Sequence, residues 1–192
     1  MIAIIKYNGG NVNSVQNALN RLNVQSIITD DFEFIKKADK VIFPGVGEAS
    51  STMNVLKEKG LDLLIPSLQQ PVLGICLGMQ LMCKDNEEGN TTGLGIFDIN
   101  VKKFPAKEIV PHMGWNTISN YKSSLFSNIE DQSDVYFVHS YYCELSENTT
   151  SVCDYILPFS ASLQKDNFFA MQFHPEKSGK IGSELLNNFL KL

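Results

Sequence analysis

The chain has 192 residues, of which 43% are hydrophobic and 19% charged. That balance suits one globular domain and excludes a disordered or collagen-like chain. Lys and Arg number 16 against 21 Asp and Glu, for a net charge of −5. No basic block stands out, so neither a dedicated nucleic-acid binder nor a binder of anionic membranes is expected.

The apolar start, residues 1–5, is too short for a signal-peptide core and has no basic region before it. No apolar run approaches the length of a membrane span. A soluble, cytoplasmic protein is expected. The four cysteines, Cys76, Cys83, Cys143 and Cys153, form no C-x-x-C pair. Neither a disulfide framework nor a structural zinc site is expected.

Residues 2–7 read as a buried strand ending in the turn Asn8-Gly9-Gly10-Asn11. Residues 12–22 carry Val12, Val15, Leu19 and Leu22 at helical spacing. A second strand covers residues 24–29, and a short, weakly helical stretch covers 32–38. Val41-Ile42-Phe43 is a third strand, closed by Pro44-Gly45-Val46-Gly47. Residues 50–59 and 61–68 look helical. Pro71 opens a strand over 72–75 that runs into Cys76, and residues 77–84 are again helical.

Alternating strands and helices imply right-handed crossovers and a parallel sheet, and short wholly apolar strands suit a sheet covered on both faces. The second half differs. Residues 96–104, 135–145, 152–157, 160–163 and 168–173 read as strands with short connections, which suggests added antiparallel strands. Residues 183–192 form a closing amphipathic helix, and the polar stretch 84–92 is the expected mobile loop. The expected architecture is one α/β domain over residues 1–192. It is an open, mostly parallel sheet flanked by helices, with added antiparallel strands.

The segment Gly74-Ile75-Cys76-Leu77-Gly78 has the form G-x-C-x-G between an apolar strand and a helix. That is a nucleophile elbow with a thiol. The sharp turn leaves no room for side chains at Gly74 and Gly78. It sets the sulfur at a helix N-terminus, where the dipole favours the thiolate. The N–H of Leu77 then points to where an oxyanion would form. Cys83, Cys143 and Cys153 lack this setting and read as core residues.

A thiol nucleophile needs a base, and the base needs orientation. Of the three histidines, His174 stands in Phe173-His174-Pro175-Glu176, directly after an apolar strand. There it can face the cleft beyond the carboxyl edge of the sheet. Glu176 can turn back to accept from the imidazole and hold its tautomer.

These two segments, Gly74-Ile75-Cys76-Leu77-Gly78-Met79-Gln80 and Phe173-His174-Pro175-Glu176, resemble the class I (triad) glutamine amidotransferases. The resemblance extends over essentially the whole chain. It implies a glutaminase with Cys76 as nucleophile, His174 as acid/base and Glu176 as orienter, and no metal or organic cofactor. Pro111-His112-Met113-Gly114-Trp115-Asn116, Tyr136-Phe137-Val138-His139-Ser140-Tyr141, Lys177-Ser178 and Met79 resemble the glutaminase-subunit family of imidazole glycerol phosphate synthase.

By that resemblance the partner is a (β/α)₈-barrel cyclase subunit in a heterodimer, and the substrate is L-glutamine. The 45–47 loop would add a second oxyanion N–H, after a peptide near Val46 turns over. Gly45, Gln80, Glu88, His139, Ser140 and Tyr141 would bind substrate. Trp115, Tyr136 and Lys177 would meet the partner. Read without the family, the 44–47 segment is equally a plain turn, Glu88 a solvated member of Glu87-Glu88, and His139 and Trp115 core residues. Two neighbouring activities share these motifs: ammonia supply for amidino-sugar synthesis, and stand-alone hydrolysis of γ-glutamyl bonds. A non-catalytic binding protein would be expected to have lost a member of the triad.

Overall fold

The computed structural model describes residues 1–7 and 11–192. Its first half alternates strands and helices. They are β1 (Ile2–Ile5), α1 (Val12–Arg21), β2 (Ser26–Thr29), α2 (Phe32–Lys37), β3 (Lys40–Gly45), α3 (Ala49–Glu58), α4 (Leu61–Ser67), β4 (Val72–Cys76) and α5 (Leu77–Met82). The second half is dominated by strands. They are β5 (Cys83–Asn86), β6 (Thr91–Thr92), β7 (Phe97–Lys103), β8 (His112–Ser119), β9 (Ser133–His139), β10 (Tyr141–Cys143), β11 (Thr149–Asp154), β12 (Pro158–Lys165) and β13 (Phe168–Met171), before α6 (Gly179–Leu190).

Among the described residues nine strands form one sheet, in the order β2-β1-β3-β4-β13-β12-β11-β8-β9. The first five pair in parallel. From β13 outward the pairing is antiparallel. A small sheet, β10-β7-β5-β6, stands apart.

Side chains of a strand alternate between faces, and here both faces are buried. Ala3, Ile5, Val41 and Phe43 pack on one side with Met53, Leu56, Leu64 and Leu77 of α3, α4 and α5. Ile4, Ile42, Leu73 and Ile75 pack on the other with Val15 and Leu19 of α1 and Leu185 and Phe189 of α6. The wholly apolar strands foretold this two-sided cover. No helix among the described residues is long and apolar enough to cross a membrane.

Several expected boundaries move. The helix expected over 77–84 stops at Met82, and Cys83 begins β5. The polar stretch 84–92, expected as a mobile loop, pairs as β5 and β6 around a 3₁₀ turn, Glu88–Asn90. The strand expected over 135–145 breaks at Ser140. Its first part stays in the large sheet as β9, and its second joins the small sheet as β10. β8 goes unnoticed in the sequence because its apolar residues Met113 and Trp115 point outward. The turn expected at residues 8–11 lies largely outside the described residues.

Candidate active site

Three neighbouring parallel strands deliver the candidate residues to one edge. Gly45 at the end of β3 pairs with Cys76 at the end of β4. Met171 at the end of β13 pairs with Ile75. Cys76 therefore follows the last shared rung by one residue and His174 by three. Register alone sends the 45–47 loop, the thiol and the imidazole to the carboxyl edge, where open α/β sheets hold ligands. A cleft of about 430 Å³ lies there, lined by Val46, Gly47, Cys76, Leu77, Gln80, Glu88, His139, Ser140, Tyr141 and His174, with Pro111 and Val138.

Cys76 has φ +53° and ψ −110°, a backbone conformation that side chains rarely adopt and that marks a strained turn. Its sulfur is 3.9 Å from the carbonyl oxygen of Val138. The elbow closes because Gly78 has no side chain: a Cβ there would collide with the Phe43 carbonyl oxygen of β3. Leu77 is the first residue of α5. Cys83, Cys143 and Cys153 are buried in β5, β10 and β11.

The His174 imidazole is buried, and its Nδ1–H donates to Glu176 Oε1 at 2.8 Å. Asn11 Nδ2 donates to the same oxygen at 3.3 Å. Nε2 makes no well-formed hydrogen bond among the described residues, yet the Cys76 side chain lies near enough to act on the ring. Burial alone would lower the imidazole pKa. Cys76 and Glu176 more than reverse that and raise it to about 10. The His174 backbone N–H donates to the Tyr136 carbonyl at 2.9 Å, which ties the ring's backbone to β9.

The loop after β3 is held at both ends and open between. Tyr7 Oη donates to the Pro44 carbonyl at 2.6 Å. Ala49 N–H donates to Glu88 Oε2 at 2.9 Å. Burial and the nearby Glu48 raise the Glu88 carboxyl above its ordinary pKa, against the Ala49 N–H. Between these anchors Val46 is 40% exposed, and Gly47 has φ +116°, with open space where a side chain would project.

His139 lines the cleft, but its ring is fully engaged. Nδ1 is 2.7 Å from the Tyr141 carbonyl oxygen, which can only accept, so Nδ1 carries the proton. Nε2 then accepts from His112 Nδ1 at 3.0 Å, and His112 Nε2 accepts from Asn116 Nδ2 at 3.2 Å. Burial pulls His139 down to about 3 and His112 to about 4, so both are neutral. In this arrangement the His139 ring has no free N–H to offer the cleft. Ser140 and Tyr141, half-buried beside it, remain on the cleft wall.

The expected partner-facing residues lie together outside the cleft. Trp115, 58% exposed, and Tyr136 are cross-strand partners with ring centroids 6.0 Å apart. Lys177 Nζ sits 5.8 Å from the Tyr136 ring centre, within cation–π range.

Sequence reasoning passed over Tyr7, Asn11 and Gln172. Gln172 is fully buried, and its Nε2 is 3.8 Å from the Cys76 sulfur. A polar residue two positions before His174 was the one available signal.

A family model described as glutamine amidotransferase class-I matches residues 3–192. The imidazole glycerol phosphate synthase subunit HisH of Bacteroides fragilis (strain YCH46) is 62% identical over 194 residues, spanning 100% of this chain and 99% of its own. The subunit of that name from Bacteroides thetaiotaomicron is 58% identical over the same shares. A solved structure described as a glutamine amidotransferase matches with a TM-score of 0.77 over 99% of this chain and 97% of its own. At 16% identity that likeness concerns the fold. The chain belongs to the class-I glutamine amidotransferases, and within them to the family of the HisH subunits.

Proposed function

We propose that this chain is the glutaminase subunit of an imidazole glycerol phosphate synthase. It hydrolyses L-glutamine and passes the ammonia to a (β/α)₈-barrel cyclase subunit in histidine biosynthesis. One observation carries this beyond the family: Cys76, His174 and Glu176 converge at the cleft edge, with Glu176 hydrogen-bonded to the imidazole.

The Cys76 thiolate attacks the side-chain amide carbon of glutamine, forming a C–S bond. The resulting oxyanion is held by the N–H of Leu77 and by one from the 45–47 loop. The tetrahedral adduct collapses with cleavage of the C–N bond, and His174 gives its proton to the departing nitrogen, which leaves as ammonia. His174 then takes a proton from water, whose oxygen attacks the thioester. Glutamate departs as the C–S bond breaks, and the Cys76 thiolate and protonated His174 are restored. His174 suits the first step because Cys76 and Glu176 keep it protonated at neutral pH. Gln80, Glu88, Ser140 and Tyr141 hold the amino-acid end, with Glu88 as the carboxylate for the substrate ammonium.

One oxyanion donor is worth roughly 3 kcal/mol. A loop that presents it only in the assembled enzyme keeps the free subunit nearly silent. Trp115, Tyr136 and Lys177 form the docking patch, in keeping with the aromatic anchors of interfaces. The test mixes the chain with its cyclase, glutamine and the cyclase's nucleotide substrate. Cys76→Ala loses glutamine-dependent synthesis and keeps synthesis from added ammonia. A Cys76→Ala protein that still uses glutamine contradicts the assignment.

A further inference from the structure

Gln172 is fully buried between the end of β13 and His174. A buried amide costs free energy unless both of its ends are hydrogen-bonded. Its carbonyl end is met: Gln80 Nε2 donates to Gln172 Oε1 at 3.0 Å. Its amino end has one partner among the described residues, the Cys76 sulfur at 3.8 Å.

The direction of this contact follows from an atom that cannot be reversed. Gln80 Nε2 also lies 3.0 Å from the Tyr141 backbone carbonyl, which can only accept. Gln80 must therefore present its NH₂ group there. Gln172 must then turn its oxygen to Gln80 and its own NH₂ group to the sulfur. The same Tyr141 oxygen is fixed from the other side by His139 Nδ1–H at 2.7 Å.

A thiol sulfur is a weak acceptor and a thiolate a strong one. The thiol form has a different partner, the Val138 carbonyl at 3.9 Å. An N–H donor locked against this sulfur is thus matched to the ionised form. We propose that Gln172 is a catalytic residue of this site, whose side-chain N–H holds the Cys76 sulfur as the thiolate and aims it into the cleft. Gln172 in this role presupposes that Cys76 is the nucleophile proposed above.

The titratable groups that act on or respond to Cys76 are His174, backed by Glu176, after β13; Tyr7 after β1; and Cys143 in β10. Burial and Cys76 raise Tyr7, and the neighbouring Cys83, burial and Cys76 raise Cys143. Both stay protonated through the neutral range, so His174 is the one neighbour whose charge must be followed alongside the sulfur.

The test is the rate of Cys76 alkylation by iodoacetamide against pH on the full chain, with the modified residue located by peptide mass spectrometry. Gln172→Met keeps the volume and removes the N–H. Loss of a hydrogen bond to a charged acceptor raises this midpoint by about one pH unit, so alkylation at pH values below the wild-type midpoint slows about tenfold. A structural role alone leaves the midpoint in place. If Gln172→Met does not fold by circular dichroism, Gln80→Met carries the test. It leaves Gln172 present but frees its amide to rotate, and the midpoint rises by a smaller step. A folded variant with an unmoved midpoint overturns the role of Gln172 while leaving Cys76 as the nucleophile. A wild-type chain whose Cys76 is no more reactive than Cys83, Cys143 or Cys153 overturns the nucleophile itself.

Discussion

In the parallel half of the large sheet, β2-β1-β3-β4-β13, neighbouring strands end together and hand their loops to one edge. In the antiparallel half, β12-β11-β8-β9, and in the small sheet, strands supply a wall to the cleft and an exposed face. The histidines mark the contrast. His174, reached from the parallel half, is raised by Cys76 and Glu176 to about 10 against its burial. His112 and His139, in the antiparallel half, are lowered by burial to about 4 and 3 and locked in a neutral chain. Charge is assembled where parallel register brings loops together, and excluded where the wall must keep its shape.

The sharpest way to break this division is Gly78→Ala. The added methyl group collides with the Phe43 carbonyl oxygen and pushes α5 away from β3. We expect a loss of about 3 kcal/mol in unfolding free energy and loss of glutaminase activity, measured by urea unfolding and glutamate release. Trp115→Ala probes the other half. Its ring is exposed, so stability should change little, while affinity for the proposed cyclase partner falls by about 2 kcal/mol, roughly thirtyfold. Titration calorimetry with the cyclase reads this directly.

The smallest effect per step is in pH, and its sign differs between the halves. His112 and His139 refuse protons that the unfolded chain binds below its ordinary histidine pKa of about 6.5. Stability therefore falls as pH drops from about 6.5 toward 4, by up to about 1.4 kcal/mol per unit for each. For His174 the folded value is the higher one. Its contribution is complete below about 6.5 and is lost as pH rises to about 10. Urea midpoints across this range should fall on both limbs. Glu176→Gln should flatten the alkaline limb and leave the acid limb alone.

The same division governs what could be read from the residues. β1, β4 and, after Lys40, β3 are apolar because both of their faces are covered, so they stand out from the string. G-x-C-x-G and the His-Pro-Glu segment stand out because turn geometry and proton chemistry each restrict residue type. Tyr7 and Gln172 do not. Each acts through a partner far along the chain, Pro44 and Cys76, and only the register of β13 on β4 brings Gln172 to the sulfur. The break at Ser140 was hidden because no Gly or Pro marks it. It arises from the step between two sheets, bridged by His139 Nδ1–H on the Tyr141 carbonyl. Glu88, which alone reads as a solvated surface residue, closes on the Ala49 N–H once β5 and β6 fold the 84–92 stretch back.

The most direct test of the central claim is covalent labelling of the chain, mixed with the proposed cyclase partner, by a diazoketone analogue of glutamine. Such a reagent reacts only where a glutamine site and an activated nucleophile coincide. The account predicts one adduct per chain, on Cys76, abolished by His174→Ala and blocked by excess glutamine. A label on Cys83, Cys143 or Cys153, or labelling of Cys76 that neither glutamine nor His174→Ala diminishes, would contradict it.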